Sequence, residues 1–150
     1  MSTAPGSAWL IAGGGLSLAA ALLHLATVVG GGDWYRFMGA GEDMARAAER
    51  GYWSPAVLTL GIAAVLAVWA AYAFSGAGLI GRLPLLRTGL VAIALIYFGR
   101  GLAVFAPNAW RPDLSLTFKL WSSLIVLGLG VAYAVGTWRA WPYLAPEARA

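Results

Sequence analysis

The sequence predicts an all-α protein: a transmembrane four-helix bundle with a short amphipathic helix between the first and second spans. Three observations carry this expectation. The chain is 61% hydrophobic, with a mean hydropathy of +0.75. Only 11% of its residues are charged, against about 25% in an ordinary soluble domain. The apolar residues gather in four stretches, 8–30, 55–75, 84–105 and 116–137. Each is about 20 residues long, the length that crosses a ~30 Å hydrocarbon core as a helix. Backbone polar groups find no partner in lipid, so such stretches must be helical. The spans use most of the chain, which reads as one integral membrane domain over 1–150.

The first span is kept as a helix of the mature protein. Residues 1–8 carry no Lys or Arg, and the apolar run is longer than the roughly 7–15 residues of a signal-peptide core. Gly13, Gly14, Gly15, Ser17 and Ala21 give this span a small-residue face suited to close helix packing or a subunit contact. The connection 31–54 is the longest. Within it, Glu42 and Arg46 stand four apart and Arg46 and Glu49 three apart, spacings that face each other on a helix. Met38, Met44, Ala45, Ala48 and Tyr52 can form an apolar stripe on that segment, which is expected to lie on the membrane or cap the bundle. The connection 76–83 is short. The third, 106–115, holds the turn formers Pro107, Asn108 and Pro112. The fourth span has its own small face at Gly128, Gly130 and Ala132. Of the eight tryptophans, Trp9, Trp34, Trp53, Trp110, Trp121, Trp138 and Trp141 fall near span ends, as an interfacial belt requires. Trp69 lies deeper and is the exception.

Composition excludes several functions. There is no cysteine, so disulfide exchange and thiolate chemistry are ruled out. The net charge of +4 is spread along the chain, with no separate basic patch for nucleic acid. The single histidine offers one axial ligand at most, which disfavours haem and structural zinc. No metal and no cofactor is expected. Gly13–Gly15 has no preceding strand and no following lysine, so it is not a phosphate loop. Ser122 and Ser123 lack a nucleophile-elbow motif, and no catalytic residue is assigned. Nine of the ten basic residues are arginine, and with abundant alanine this points to a GC-rich bacterial genome.

The ionisable residues of the spans all collect in one leaflet. His24 and Arg100 lie five or six residues before the ends of the first and third spans, ~8–9 Å below the surface that carries the first and third loops. Lys119 enters the fourth span from that side, followed by Ser122, while Tyr97 lies one turn deeper than Arg100. Glu42 belongs to the loop above. The candidate ligand-binding set is therefore His24, Glu42, Tyr97, Arg100, Lys119 and Ser122. Charged groups at this depth usually face a bundle interior or a watery cavity. Arg100 either snorkels or pairs with Asp33 or Glu42, or else its planar fork holds a carboxylate or phosphate. His24 is either a neutral imidazole hydrogen-bonded to a neighbouring helix, or a proton carrier or hydrogen-bond donor to a lipid or quinone.

The chain resembles a family of small bacterial four-span membrane proteins, a domain of unknown function. The resemblance rests on His24 followed by Gly30–Gly31, on Tyr97-Phe98-Gly99-Arg100-Gly101 and on Trp121-Ser122-Ser123. It implies the four-helix layout and the His and Arg positions, and no activity. The expected function is therefore a non-catalytic protein of the bacterial inner membrane. It binds a lipid-like amphiphile, or serves a homo-oligomer or larger complex as an accessory subunit. The alternative is a membrane-embedded enzyme or transporter with His24 and Glu42 moving protons and Arg100 binding an anionic substrate. Charge counts differ little between the two sides: Arg82, Arg87, Arg139 and Arg149 against Arg36, Arg46, Arg50, Arg111 and Lys119. Arg82 and Arg87 flank the shortest connection, where the positive-inside rule is most effective, and favour cytoplasmic termini.

Overall fold

A computed structural model of the chain describes residues 5–106, 110, 112 and 114–145. Pro107, Asn108, Arg111 and Arg149, noted in the sequence, lie outside this set. The described residues form six α-helices and no strand. The four long ones are α1 (Ser7–Gly30), α4 (Ser54–Gly76), α5 (Leu86–Leu102) and α6 (Leu116–Ala140). A 3-10 turn, Ala103–Phe105, extends α5, and another, Trp141–Leu144, extends α6. All four are long and apolar enough to cross a membrane, and the chain is a multi-pass membrane protein.

Local chemistry explains the boundaries. Gly31, at φ 70°, ends α1 in a conformation that suits glycine. Pro55 sits in the first turn of α4, where its missing N–H costs nothing. The Ser115 hydroxyl caps α6 by accepting from the Phe118 N–H at 3.1 Å. The first loop contains two short helices rather than one: α2 (Gly32–Phe37) and α3 (Glu42–Glu49). Helix α3 matches the amphipathic segment read from the sequence, and Ala45 on its apolar side is fully buried. Helix α2 has only six residues, too few for a periodic pattern to reveal.

Around the bundle the helices run α4, α1, α6, α5. The main contacts pair α1 with α4 and α5 with α6, while α1–α6 and α4–α5 close the ring. Helices α2 and α3 pack on each other and on the loop ends of α1 and α4. Small residues permit the close approaches. A Cβ on Gly14 would stand 2.8 Å from the Phe74 ring, and one on Gly13 would stand 3.0 Å from the Tyr133 ring. Gly15 and Gly128 instead face open space, so the small faces are only partly internal. The core comprises Leu10, Leu66, Leu90, Ile93, Leu129 and their neighbours. Leu16, Leu22, Leu95, Ile96, Leu124 and Ile125 are exposed, which suits a surface solvated by lipid tails rather than water.

Candidate functional site

The six residues flagged by the sequence do not converge. His24 turns back on its own helix, and its Nδ1 donates to the Ala20 carbonyl at 2.7 Å. Ser122 Oγ likewise donates to the Lys119 carbonyl at 3.3 Å. Lys119 is half-buried. Arg100 pairs with neither Asp33 nor Glu42. Its guanidinium lies 4.1 Å from the centre of the Trp110 ring, and the Trp110 Nε1–H donates to the Ala103 carbonyl at 2.8 Å. Arg100 and the Ala103 carbonyl thus hold Trp110 against the end of α5. Tyr97 points elsewhere. Three residues of helix turn the side chain about 60° away from Arg100, and that is enough to bury Tyr97 while Arg100 stays on the surface.

Glu42 belongs to the cap. Arg36 grips it with two hydrogen bonds, from Nε at 2.8 Å and from Nη2 at 3.1 Å. Arg36 also reaches Glu49 at 2.6 Å and Asp33 at 3.1 Å. Arg46 adds a bond to Glu42 at 2.9 Å, as the i,i+4 spacing predicts. Glu49, predicted to pair with Arg46, is taken by Arg36 instead. The bonds from Arg36 and then Arg46 hold the Glu42 carboxyl at about 2, and those from Glu42 and Glu49 push Arg36 upward. These groups are exposed and screened by solvent.

The buried polar centre lies deeper, with one residue from each long helix. Tyr133 donates to the Trp69 carbonyl at 2.9 Å. A carbonyl only accepts, so this bond uses the single Tyr133 proton. Ser17, 3.0 Å from the Tyr133 hydroxyl, must then donate to it. Tyr97, 2.8 Å from Ser17, must in turn donate to Ser17. The Trp69 ring packs edge-on against Tyr97 at 4.9 Å, which explains a tryptophan so far from the interface. The chain ties both diagonals of the bundle, α1 to α5 and α6 to α4. Sequence reasoning flagged Tyr97 but neither Ser17 nor Tyr133 as its partners. The available signal was a hydroxyl in mid-span on each of three helices.

A second arrangement occupies the opposite end, where both described termini lie. Arg82 donates through Nη2 to the Leu144 carbonyl. Arg87 donates through Nη2 to the Trp141 carbonyl at 2.7 Å, and its guanidinium lies 4.6 Å from the Trp141 ring centre. Both arginines line a cavity of about 520 Å³ together with Pro84, Leu85 and Thr88. The Nη1 group of Arg82 and the Nε group of Arg87 are buried without hydrogen-bond partners. Among the described residues neither arginine forms an ion pair. A neighbouring groove of about 280 Å³ runs between α5 and α6, walled by Val91, Leu95, Phe98, Thr137, Trp138 and Trp141. Thr137 is 4% exposed and its hydroxyl has no partner. Thr27 shows the usual alternative, donating to the Leu23 carbonyl one turn back at 2.9 Å. The sequence reading used Arg82 and Arg87 only for orientation; the missed signal was a pair of arginines around Pro84 at the mouth of a span.

No group of three or more potential metal ligands occurs among the described residues. No family model, curated protein or solved structure matches the chain.

Proposed function

We propose that the protein is a small, non-catalytic integral membrane protein of the bacterial inner membrane. It holds an amphiphile against its α5–α6 face, by itself or as an accessory subunit of a larger assembly. The observation that carries this reading is the apolar groove between α5 and α6, with Trp141 at its outer end and the Arg87 guanidinium stacked on that ring. A hydrocarbon tail alone fills the groove and leaves the guanidinium without an anion. A ligand with both a chain and an anionic head satisfies both. Arg82 in the short connection and Arg87 in the first turn of α5 support cytoplasmic termini and, with them, a groove in the cytoplasmic leaflet.

The enzyme or transporter alternative has less support. Glu42, held at about 2 by Arg36 and Arg46, is poorly matched to proton transfer near neutral pH. Side chains from all four long helices meet across the bundle axis at Ser17, Trp69, Tyr97 and Tyr133, where a transport path through one copy would need to run.

Native mass spectrometry of the protein released from nanodiscs tests the proposal. A discrete added mass of an amphiphile is expected. Bare protein under conditions that preserve the fold removes the reading.

A further inference from the structure

The linings of the two cavities at the termini end touch where Arg87, in one, stacks on Trp141, in the other, and together they have the layout of one glycerophospholipid. Arg87, Val91, Leu95 and Phe98 follow one another along one side of α5. Trp141, Trp138, Thr137 and Ala134 descend α6 from the same end, and all but Arg87 line the groove. From Arg87 to Phe98 the helix rises about 16 Å, close to one leaflet of a ~30 Å core. The polar end holds two guanidiniums. It also holds the first turn of α5, where the N–H groups of Leu86, Arg87 and Thr88 have no intrahelical acceptor and no side chain caps them. The N-terminal dipole there favours an anion.

We propose that α5 and α6 bind one anionic glycerophospholipid. Its phosphate sits between Arg82, Arg87 and the α5 N-terminus, and one acyl chain lies along Val91, Leu95 and Phe98. This assignment rests on the amphiphile reading and names the ligand class and the site. Two independent features point the same way. Arg82 and Arg87 both line the polar cavity, and neither has a carboxylate partner among the described residues. The deepest wall, Phe98 with Leu95 and Ala94, offers no polar side chain. The carbonyls of Trp141 and Leu144 already hold one nitrogen of each arginine, so both forks are oriented before any ligand arrives and need little reordering to bind it.

The test uses the full chain reconstituted in vesicles of phosphatidylglycerol and phosphatidylcholine in equal parts, released for native mass spectrometry. Wild type is expected to retain one phosphatidylglycerol in preference to phosphatidylcholine. R82Q/R87Q is expected to lose that preference by about tenfold or more, because charge-assisted hydrogen bonds are removed. L95W, which fills the apolar groove from an exposed position, is expected to lower retention of phosphatidylglycerol several-fold. If wild type retains phosphatidylglycerol and both variants match it, the site assignment fails while the amphiphile reading stands. If wild type retains no lipid or other amphiphile, both fail. Retention of inorganic phosphate without acyl chains, in a phosphate-buffer arm, also overturns the assignment. Should R82Q/R87Q not fold, L95W decides the matter by itself: retention of phosphatidylglycerol equal to wild type overturns the assignment.

Discussion

The two ends of the bundle treat charge in opposite ways. At the loop end, Arg36 is saturated by Asp33, Glu42 and Glu49, and Glu42 by two arginines. At the termini end, the hydrogen bonds of Arg82 and Arg87 among the described residues go to backbone carbonyls, Arg87 also stacks on Trp141, and neither meets a carboxylate there. The loop end holds more charged residues, yet these five in α2 and α3 (Asp33, Arg36, Glu42, Arg46 and Glu49) are spent on one another. The termini end is poorer in charge and richer in available charge. Recognition depends on the second quantity, since a guanidinium enclosed by carboxylates has little left for a ligand.

The ends also differ in what holds them, and three substitutions and one change of pH sharpen that contrast. Gly136→Val should have the largest effect. A Cβ there would lie 2.7 Å from Leu10 Cγ and 3.0 Å from the Leu10 backbone nitrogen. Overpacking of this kind costs about 1–3 kcal/mol. Unfolding in mixed micelles should show that loss, with hydrogen exchange rising first at the start of α1 and the end of α6 while α2 and α3 keep their protection. Equal loosening at both ends would dissolve the distinction.

Tyr133→Phe comes next, removing two bonds of the central chain, and should cost about 1–2 kcal/mol. Tyr97→Phe removes one and should cost about half as much, or roughly 0.5–1 kcal/mol. The same unfolding assay ranks them. A larger loss for Tyr97→Phe would contradict the donor order deduced from the Trp69 carbonyl.

The smallest effect is expected from acid, and only at the loop end. The Glu42 carboxyl is held below its ordinary value of 4.5, at about 2. Its contribution is therefore complete above pH 4.5 and fades as the pH falls toward 2. Pepsin, active throughout that range, should cut within 31–54 faster at pH 2 than at pH 4 when its rate is normalised to an unstructured peptide. A normalised rate that does not change would show that the Arg36 cluster does not hold the cap.

The sequence made the spans legible because hydropathy over some twenty residues leaves little freedom, and α3 legible because its charge spacing is helical. It did not reveal which way a polar side chain turns. Arg100 and Tyr97 are three residues apart on one helix, yet one stacks on a loop tryptophan and the other reaches Ser17, 80 positions away. Tyr133 joins Ser17 across 116 positions. Spacing within a helix carries no information about such partners. Ionisable residues drew attention to the loop end, whereas the unpartnered threonine at the other end looked like one more tolerated hydroxyl in an apolar run. Only the packing of α5 on α6 makes it conspicuous.

The chain from Tyr97 through Ser17 and Tyr133 to Trp69 has an electrical consequence. Relay by hopping requires every member of a hydrogen-bonded wire to take a proton on one side and release one on the other. Three hydroxyls can do so, but the last member is a peptide carbonyl, which has no proton to release. The most polar point in the middle of the bundle is therefore a dead end for current. The helices gain a hydrogen-bonded brace across both diagonals, and the membrane keeps its insulation against protons at the depth where a polar seam would otherwise threaten it.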